Sequence, residues 1–121
     1  MALDFTTTRN PPPTIVQFGA SDPQELARAA TLVAPSASGV DLNCGCPQTW
    51  ACSEGIGASL MDKRELVRDM VVETRGALAR EGWERRKESA RGRSVSVKIR
   101  VHKDLRWVLL FILVQVDWTA G

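Results

Sequence analysis

Three short segments with the composition of β-strands alternate with two segments of helical periodicity, and this alternation restricts the fold more than any other feature. The strand segments are residues 14–20, 39–45 and 94–101, the last with strict alternation of polar and apolar residues. In the segments between them, which begin near Pro23 and Asp62, apolar residues recur at helical spacing. Strands that alternate with helices form parallel sheets through right-handed crossovers, so the sequence predicts an α/β fold.

The two predicted helices have capping signals at their starts. Ser21 or Asp22 can cap the first helix, and Pro23 is favoured in its first turn. Asp62 and Glu65 have the spacing of a capping box ahead of the second helix. Caps satisfy backbone N–H groups that have no partner inside the helix, so these residues predict where the helices begin.

Each strand segment has one polar and one apolar face. The polar faces carry Gln17 on the first strand, Asp41 and Asn43 on the second, and Ser96, Lys98 and Arg100 on the third. If the helices cover the apolar faces, Gln17, Asn43 and Lys98 converge near the carboxyl ends of three adjacent parallel strands. Proteins of this class bind their ligands at those ends, so the pattern predicts a binding site there.

All three cysteines lie within residues 41–60, around a glycine-rich loop. The spacing of Cys44, Cys46 and Cys52 does not match the pairs of a zinc site, and the chain has one histidine, so we expect no metal. A thioredoxin-like redox pair needs C-x-x-C, whereas one residue separates Cys44 from Cys46. We expect Cys44 and Cys52 to behave as small buried hydrophobic residues.

Cys46 has a different setting from the other two cysteines. It lies between Gly45 and Pro47, in the loop that leaves the second strand. Loops at this position carry function in α/β proteins, and glycine allows the backbone to approach a ligand closely. Cys46 is therefore a candidate functional residue.

Length and composition restrict the class of protein. A chain of 121 residues forms one domain at most, and 25% charged with 44% hydrophobic residues is typical of a soluble globular protein. A net charge of +2 is too small to indicate a dedicated nucleic-acid-binding domain. Composition alone therefore does not identify a partner.

The cysteine count and the apolar segments bear on location. An odd number of cysteines cannot all pair within the chain, and residues 1–13 lack the pattern of a secretory signal. We expect reduced thiols and a cytoplasmic protein, with the nucleus as the alternative. The most apolar stretch, residues 107–118, is too short to cross a bilayer as a helix, so no membrane role is expected.

The chain resembles the tRNA-dihydrouridine synthase family, in particular the eukaryotic branch that is sometimes called dihydrouridine synthase four-like. The resemblance covers about residues 14–104 and is carried by VQFGA, DLNCGCPQTWA with EGIGASL, and SVKIR, in that order and separated by helices. The resemblance implies a (β/α)8 barrel of flavin enzymes that reduce the C5=C6 bond of D-loop uridines in tRNA. FMN would be the cofactor and NADPH the reductant.

The resemblance also implies roles for individual residues. Gln17 and Lys98 would contact the flavin ring, with the Lys98 ammonium near the charge of the reduced ring. Asn43 would face both flavin and uracil, and Arg100 would contact substrate or cofactor phosphate, unless it is a solvated charge at a strand end. Cys46 would be the general acid that protonates C5 while hydride reaches C6; a free thiol in water is mostly protonated near neutral pH.

The barrel predicted for this chain is partial. Residues 14–104 correspond to strands three to five of the (β/α)8 barrel with their helices, preceded by an extended lead-in at 1–13 and followed by a divergent hydrophobic tail at 105–121. The family residues that hold the FMN phosphate have no counterpart here. The polar run at 80–93 could contact tRNA phosphates or be a solvated insertion, and His102 has no assigned role.

Three hypotheses for function follow. The first is an FMN-dependent tRNA-dihydrouridine synthase. The second is a catalytically inactive fragment of such an enzyme, which does not hold FMN stably. The third is an interaction module that self-associates through exposed sheet edges.

Overall fold

Three parallel β-strands form a single sheet in the computed structural model, which describes residues 12–84 and 91–100. In chain order the elements are β1 (Ile15–Phe18), α1 (Pro23–Val33), β2 (Gly39–Cys44), α2 (Thr49–Ser53), α3 (Arg64–Arg80) and β3 (Ser94–Ile99). Two short 3-10 helices occupy Ala34–Ser36 and Gly57–Asp62. The predicted alternation of strands and helices is confirmed. The predictions for residues 1–11, for His102 and for the tail lie outside the described ranges.

The register of the sheet aligns the polar residues of the three strands. β2 lies in the centre and pairs in parallel with both neighbours. Gln17 is opposite Asp41, and Asp41 is opposite Ser96, so these three side chains form one row across the sheet. Two residues further along β2, Asn43 is opposite Lys98 and forms the next row toward the carboxyl ends.

Helices α1 and α3 pack on each other and cover the apolar face of the sheet. The buried residues of the helices include Leu26, Ala30, Val67, Met70 and Leu78, and those of β2 are Val40, Leu42 and Cys44. All five helical residues lie in the two segments predicted to form helices with apolar residues at helical spacing. Burial of a side chain as large as leucine stabilises a fold by roughly 1.5–3 kcal/mol, so these contacts fix the helices against β2.

The other face of the sheet is open and polar within the described residues. Gln17, Ser96 and Lys98 are exposed, and Ile15 on the same face is 57% exposed. A sheet with helices on one face and polar side chains on the other is typical of part of a (β/α)8 barrel. In such a barrel the helices pack on the outer face of the strands, and the inner face lines the barrel interior. The predicted partial barrel with a parallel sheet is confirmed.

The starts of the helices agree with the sequence in one case and differ in the other. The Asp22 carboxylate accepts a hydrogen bond from the backbone N–H of Gln24 at 3.1 Å, so Asp22 caps α1. The capping box predicted for Asp62 is wrong. Lys63 is the first residue whose carbonyl accepts a helical bond of α3, because Asp62 still belongs to the preceding 3-10 helix.

Among the described helices, none is both long and apolar enough to cross a membrane.

Candidate active site

The polar residues predicted to converge do lie together at the carboxyl ends of the strands. The Asn43 carboxamide on β2 donates a hydrogen bond from Nδ2 to Oε1 of Gln17 on β1, at 3.3 Å. Lys98 on β3 is the register partner of Asn43 and is exposed on the same face. The three residues therefore form one surface across three strands, and the roles proposed for them in binding remain predictions.

Asn43 also organises the loop that leaves β2. Its Oδ1 accepts hydrogen bonds from the backbone N–H of Gly45 at 2.8 Å and of Cys46 at 2.9 Å. An asparagine that binds the backbone two and three residues ahead forms a local turn. The turn directs the chain out of the strand and sets the position of Cys46 relative to Gln17.

Asp41 links all three strands, and sequence reasoning did not assign it a role. Its Oδ2 accepts a hydrogen bond from Gln17 Nε2 at 2.7 Å, and its Oδ1 accepts one from Ser96 Oγ at 2.7 Å. The sequence shows that the three residues share the polar face. Their contact follows from the register of the strands, which periodicity does not reveal.

Cys46 is half-buried on the rim of the site, and the glycine-rich segment folds back over it. Its carbonyl oxygen accepts a hydrogen bond from the N–H of Ala58 at 2.8 Å, and Cys52 Sγ lies 3.8 Å from the same oxygen. Gly57 has a positive φ of 67°, and a Cβ there would lie 2.6 Å from this oxygen. The residue at 57 must therefore lack a side chain for the loop to close over Cys46.

Cys44 and Cys46 are two residues apart but have different surroundings. Cys44 is fully buried in the core under the helices. Burial, with a smaller contribution from the negative charge of Asp41, raises the pKa of the Cys44 thiol from 9.0 to about 12. Cys44 is thus a neutral core residue, as predicted. Cys52, for which the same was predicted, is half-buried in the loop.

Cationic side chains surround the loop at this end of the sheet. Arg100 is exposed, and its Cγ would be 3.2 Å from a Cβ at Gly45, so it lies over the start of the loop. Lys63 Nζ would lie 4.0 Å from a Cβ at Gly55, on the other side of the loop. Within the described ranges, Lys98 makes no hydrogen bond or ion pair, so its ammonium is free for a ligand.

The described part of the polar run at 80–93 lies far from this end. It precedes β3 and therefore meets the sheet at the amino ends of the strands. There the Trp83 ring packs against Arg91 at 4.9 Å and Arg93 at 4.3 Å, measured from guanidinium carbon to ring centroid. Arg93 Nε donates to the Ala34 carbonyl at 2.7 Å. These contacts give the two arginines a structural role, and residues 85–90 lie outside the described ranges.

No group of three or more histidine, cysteine, aspartate or glutamate side chains is placed to hold a metal ion in the described ranges.

Comparison with known protein families identifies the family to which this chain belongs. Residues 1–107 match the sequence model of the family described as Dihydrouridine synthase (Dus). The chain belongs to the dihydrouridine synthase family. This confirms the family predicted from the residues around Cys46 and from the flanking strands.

Curated relatives of the dihydrouridine synthase family cover most of the chain. A human protein named tRNA-dihydrouridine(20a/20b) synthase-like is 48% identical over 103 residues, which is 85% of this chain and 29% of the relative. The tRNA-dihydrouridine(20a/20b) synthase of Schizosaccharomyces pombe is 43% identical over 103 residues, 85% of this chain and 28% of the relative. The tRNA-dihydrouridine(16) synthase of Cupriavidus necator is 40% identical over 72 residues, 59% of this chain and 22% of the relative.

The chain thus spans less than a third of the length of these relatives. The names of the human and Schizosaccharomyces pombe proteins also include NAD(P)+.

Proposed function

We propose that this chain forms part of the active site of a flavin-dependent tRNA-dihydrouridine synthase, which reduces the C5=C6 bond of D-loop uridines in tRNA with NADPH as the reductant. One observation carries the proposal: the Asn43 turn holds Cys46 on the same rim as the polar surface of Gln17, Asn43 and Lys98. A thiol next to a row of amide and ammonium groups suits proton transfer beside a polar, planar cofactor.

The residues present fit the ring of a flavin. Gln17 uses one N–H of Nε2 and one lone pair of Oε1 within the protein, so each atom retains capacity for a ligand. Lys98 offers an ammonium on the same face, suited to negative charge on a reduced ring. When bound, FMN supplies the hydride that reduces the uracil. Gln17, Asn43 and Lys98 would hold its ring; no residue of this chain is proposed for its phosphate.

Cys46 supplies the proton in this proposal. Cys46 is half-buried on the loop that leaves β2 at the carboxyl ends of the strands, whereas Cys44 is fully buried between the sheet and the helices. A general acid must present its proton at a fixed position, and three hydrogen bonds hold the Cys46 backbone and its neighbour Gly45 in place. Cys46 therefore acts on C5 of the uracil as an acid.

Recognition of tRNA is proposed for the cations around the loop. Arg100 and Lys63 are exposed at the carboxyl end of the sheet, where phosphates can approach without desolvation of a buried charge. A uridine must leave its stack to reach a ring on the polar face, so shape and phosphate contacts should contribute more to binding than base contacts away from the site. We place this activity in the cytoplasm, with the nucleus as the alternative.

A second candidate is an inactive fragment of such an enzyme, and the open polar face favours it. Gln17, Ser96 and Lys98 are exposed, and β1 and β3 each have one neighbour in the described sheet. In a whole barrel, further strands close both edges and enclose the cofactor. A chain that spans less than a third of its relatives would then bind flavin weakly and release it.

The two candidates are separated by product formation. The purified 121-residue chain is incubated with FMN, NADPH and an unmodified tRNA transcript, and dihydrouridine is measured by mass spectrometry. The first candidate predicts dihydrouridine in the D loop and a loss of at least about 100-fold on Cys46→Ala, in line with the usual contribution of a general acid. Cys52→Ala, the matched control in the same loop, should retain activity. Absence of product, with flavin lost on gel filtration, supports the fragment.

A further inference from the structure

A chain of hydrogen bonds crosses the polar face from β3 to the Cys46 loop. Ser96 Oγ donates to Asp41, Gln17 Nε2 donates to Asp41, and both distances are 2.7 Å. Asn43 Nδ2 then donates to Gln17 Oε1, and Asn43 Oδ1 accepts from the backbone of Gly45 and Cys46. The carboxylate of Asp41 is thus connected to the backbone of Cys46 through two carboxamides.

The two ends of this series of hydrogen bonds, the Asp41 carboxylate and the backbone N–H groups of Gly45 and Cys46, have fixed and opposite hydrogen-bonding character. An ionised carboxylate only accepts hydrogen bonds, and a backbone N–H only donates them. With the amino group of Gln17 toward Asp41, its oxygen faces Asn43, and the Asn43 oxygen then faces the loop. If either carboxamide were reversed, two donors or two acceptors would face each other. Only one orientation of Gln17 and Asn43 satisfies every contact.

We propose that Asp41 is a positioning residue that fixes the orientation of the Gln17 and Asn43 carboxamides and, through them, the backbone at Cys46. The inference rests on the proposed function and deepens it, because it says how the amides of Gln17 and Asn43 and the acid Cys46 keep their relative positions before any ligand binds. Asp41 suits this task because it lies at the centre of the sheet and contacts both neighbouring strands. Asp41 acts through Gln17 in this proposal, and no catalytic role is assigned to it.

The matching of donors and acceptors along these residues predicts a rescue that a general loss of packing does not. Gln17→Glu places two carboxylates against each other, which repel or must share a proton. When Asp41→Asn is added, the introduced amide donates to the introduced carboxylate, and Asn43 Nδ2 donates to its other oxygen. Ser96 still has an acceptor at residue 41. The Asn43 oxygen again faces Gly45 and Cys46, and the net charge equals that of the unchanged chain.

Asp41→Asn alone should have a small effect, because Ser96 can adapt. The introduced amide can turn its oxygen toward Gln17 and its amino group toward Ser96 Oγ, since a hydroxyl accepts as well as donates. The order of effects is therefore specific: Gln17→Glu is severe, Asp41→Asn is mild, and the double variant resembles the unchanged chain. Independent losses of packing would instead add.

Amide hydrogen exchange of the full chain, measured by NMR without flavin, tests this order. Exchange of the Gly45 and Cys46 N–H groups should accelerate about tenfold in Gln17→Glu, because repulsion from Asp41 moves the introduced carboxylate away from Asn43 Nδ2 and the Asn43 carboxamide is no longer held in place. It should return to within about twofold of the original rate when Asp41→Asn is added. The control is Gln24→Glu with Asp69→Asn, the same exchange of residue types at exposed helical positions. It should leave both rates unchanged.

If Gln17→Glu is too unstable for exchange measurements, the melting temperature replaces them, and adding Asp41→Asn must restore folding. The proposal is overturned if the double variant exchanges its Gly45 and Cys46 N–H groups as fast as Gln17→Glu does, or melts at the same temperature. It is also overturned if Gln17→Glu leaves the exchange of these two groups unchanged. Because no flavin or tRNA is present, these outcomes do not depend on whether the chain is an active synthase.

Discussion

Gly57 lies directly against Cys46, so that a Cβ at residue 57 would be 2.6 Å from the Cys46 carbonyl oxygen and 3.0 Å from its Cβ. Real Cβ atoms essentially never come as close as 2.6 Å to another atom, and the oxygen already accepts a hydrogen bond from Ala58. The glycine-rich segment is thus shaped to close over Cys46. The loop and the candidate acid form one structural unit.

Gly57→Ala should therefore destabilise the chain and move Cys46. The positive φ of 67° costs a residue with a Cβ about 1–2 kcal/mol, and the clash with Cys46 adds to that cost. Gly55→Ala is the matched control, since Gly55 has a φ of 77° in the same loop, but its Cβ would be no closer than 3.8 Å to its nearest neighbour.

The free energies of unfolding of both variants should be measured in urea. Gly57→Ala should lose at least about 1 kcal/mol more than Gly55→Ala, the difference being the cost of the close approach. Equal losses would show that the backbone angle alone requires glycine at residue 57.

The buried thiol of Cys44 should make stability decrease at high pH. Burial raises the pKa of this thiol to about 12 in the folded state from 9.0. Between these values the unfolded chain loses the proton and the folded chain keeps it, so unfolding is favoured as pH rises. Burial of the neutral thiol therefore contributes fully to stability below pH 9.0 and progressively less above it. The free energy of unfolding should decrease there by up to about 1.4 kcal/mol per pH unit.

Urea unfolding of the chain from pH 8 to pH 11 measures this slope. Cys44→Ala removes the titrating group and should flatten the profile, although its stability at pH 8 will be lower because a buried side chain is shortened. Val40→Ala, which shortens a buried side chain of the same strand without removing a titrating group, should keep the slope. A steep profile that persists in Cys44→Ala would assign the effect to another group.

Thr74 offers a case in which a substitution should stabilise the protein. Its side chain is fully buried in α3, and Oγ1 has no hydrogen-bond partner within the described structure. A buried hydroxyl without a partner costs about 1–3 kcal/mol, so Thr74→Val should raise the free energy of unfolding by about 1 kcal/mol. Thr31→Val is the control, because Thr31 Oγ1 donates to the Arg28 carbonyl at 2.8 Å, and it should be neutral or destabilising. A loss of stability in Thr74→Val would contradict the assignment.

Local patterns in the sequence were sufficient to predict the α/β fold and the polar faces of the strands. They also indicated Cys46 as a candidate functional residue, and its role stays a prediction. These features depend on the alternation of side chains along a strand and on the spacing of apolar residues in α1 and α3. The family motifs added the (β/α)8 barrel.

The turn of helix at Thr49–Ser53 and the 3-10 helix at Gly57–Asp62 were not predicted. Segments this short are not stable alone and form because the loop is held against Cys46. The same 3-10 helix explains why Asp62 does not cap α3. The role of Asp41 was missed because it depends on which residues face each other across strands, and Lys63 was missed because its contact is with a distant part of the loop.

Flavin binding by the chain tests the central claim most directly, namely that Gln17, Asn43 and Lys98 form a flavin-binding surface. FMN fluorescence is titrated with the chain, with Lys98→Ala and with Arg68→Ala, which removes one exposed positive charge from α3 away from the strands. We predict saturable quenching by the chain, about tenfold weaker binding for Lys98→Ala, as expected for a lost charged contact, and no change for Arg68→Ala. Absence of saturable quenching, or equal weakening by both substitutions, would contradict the account.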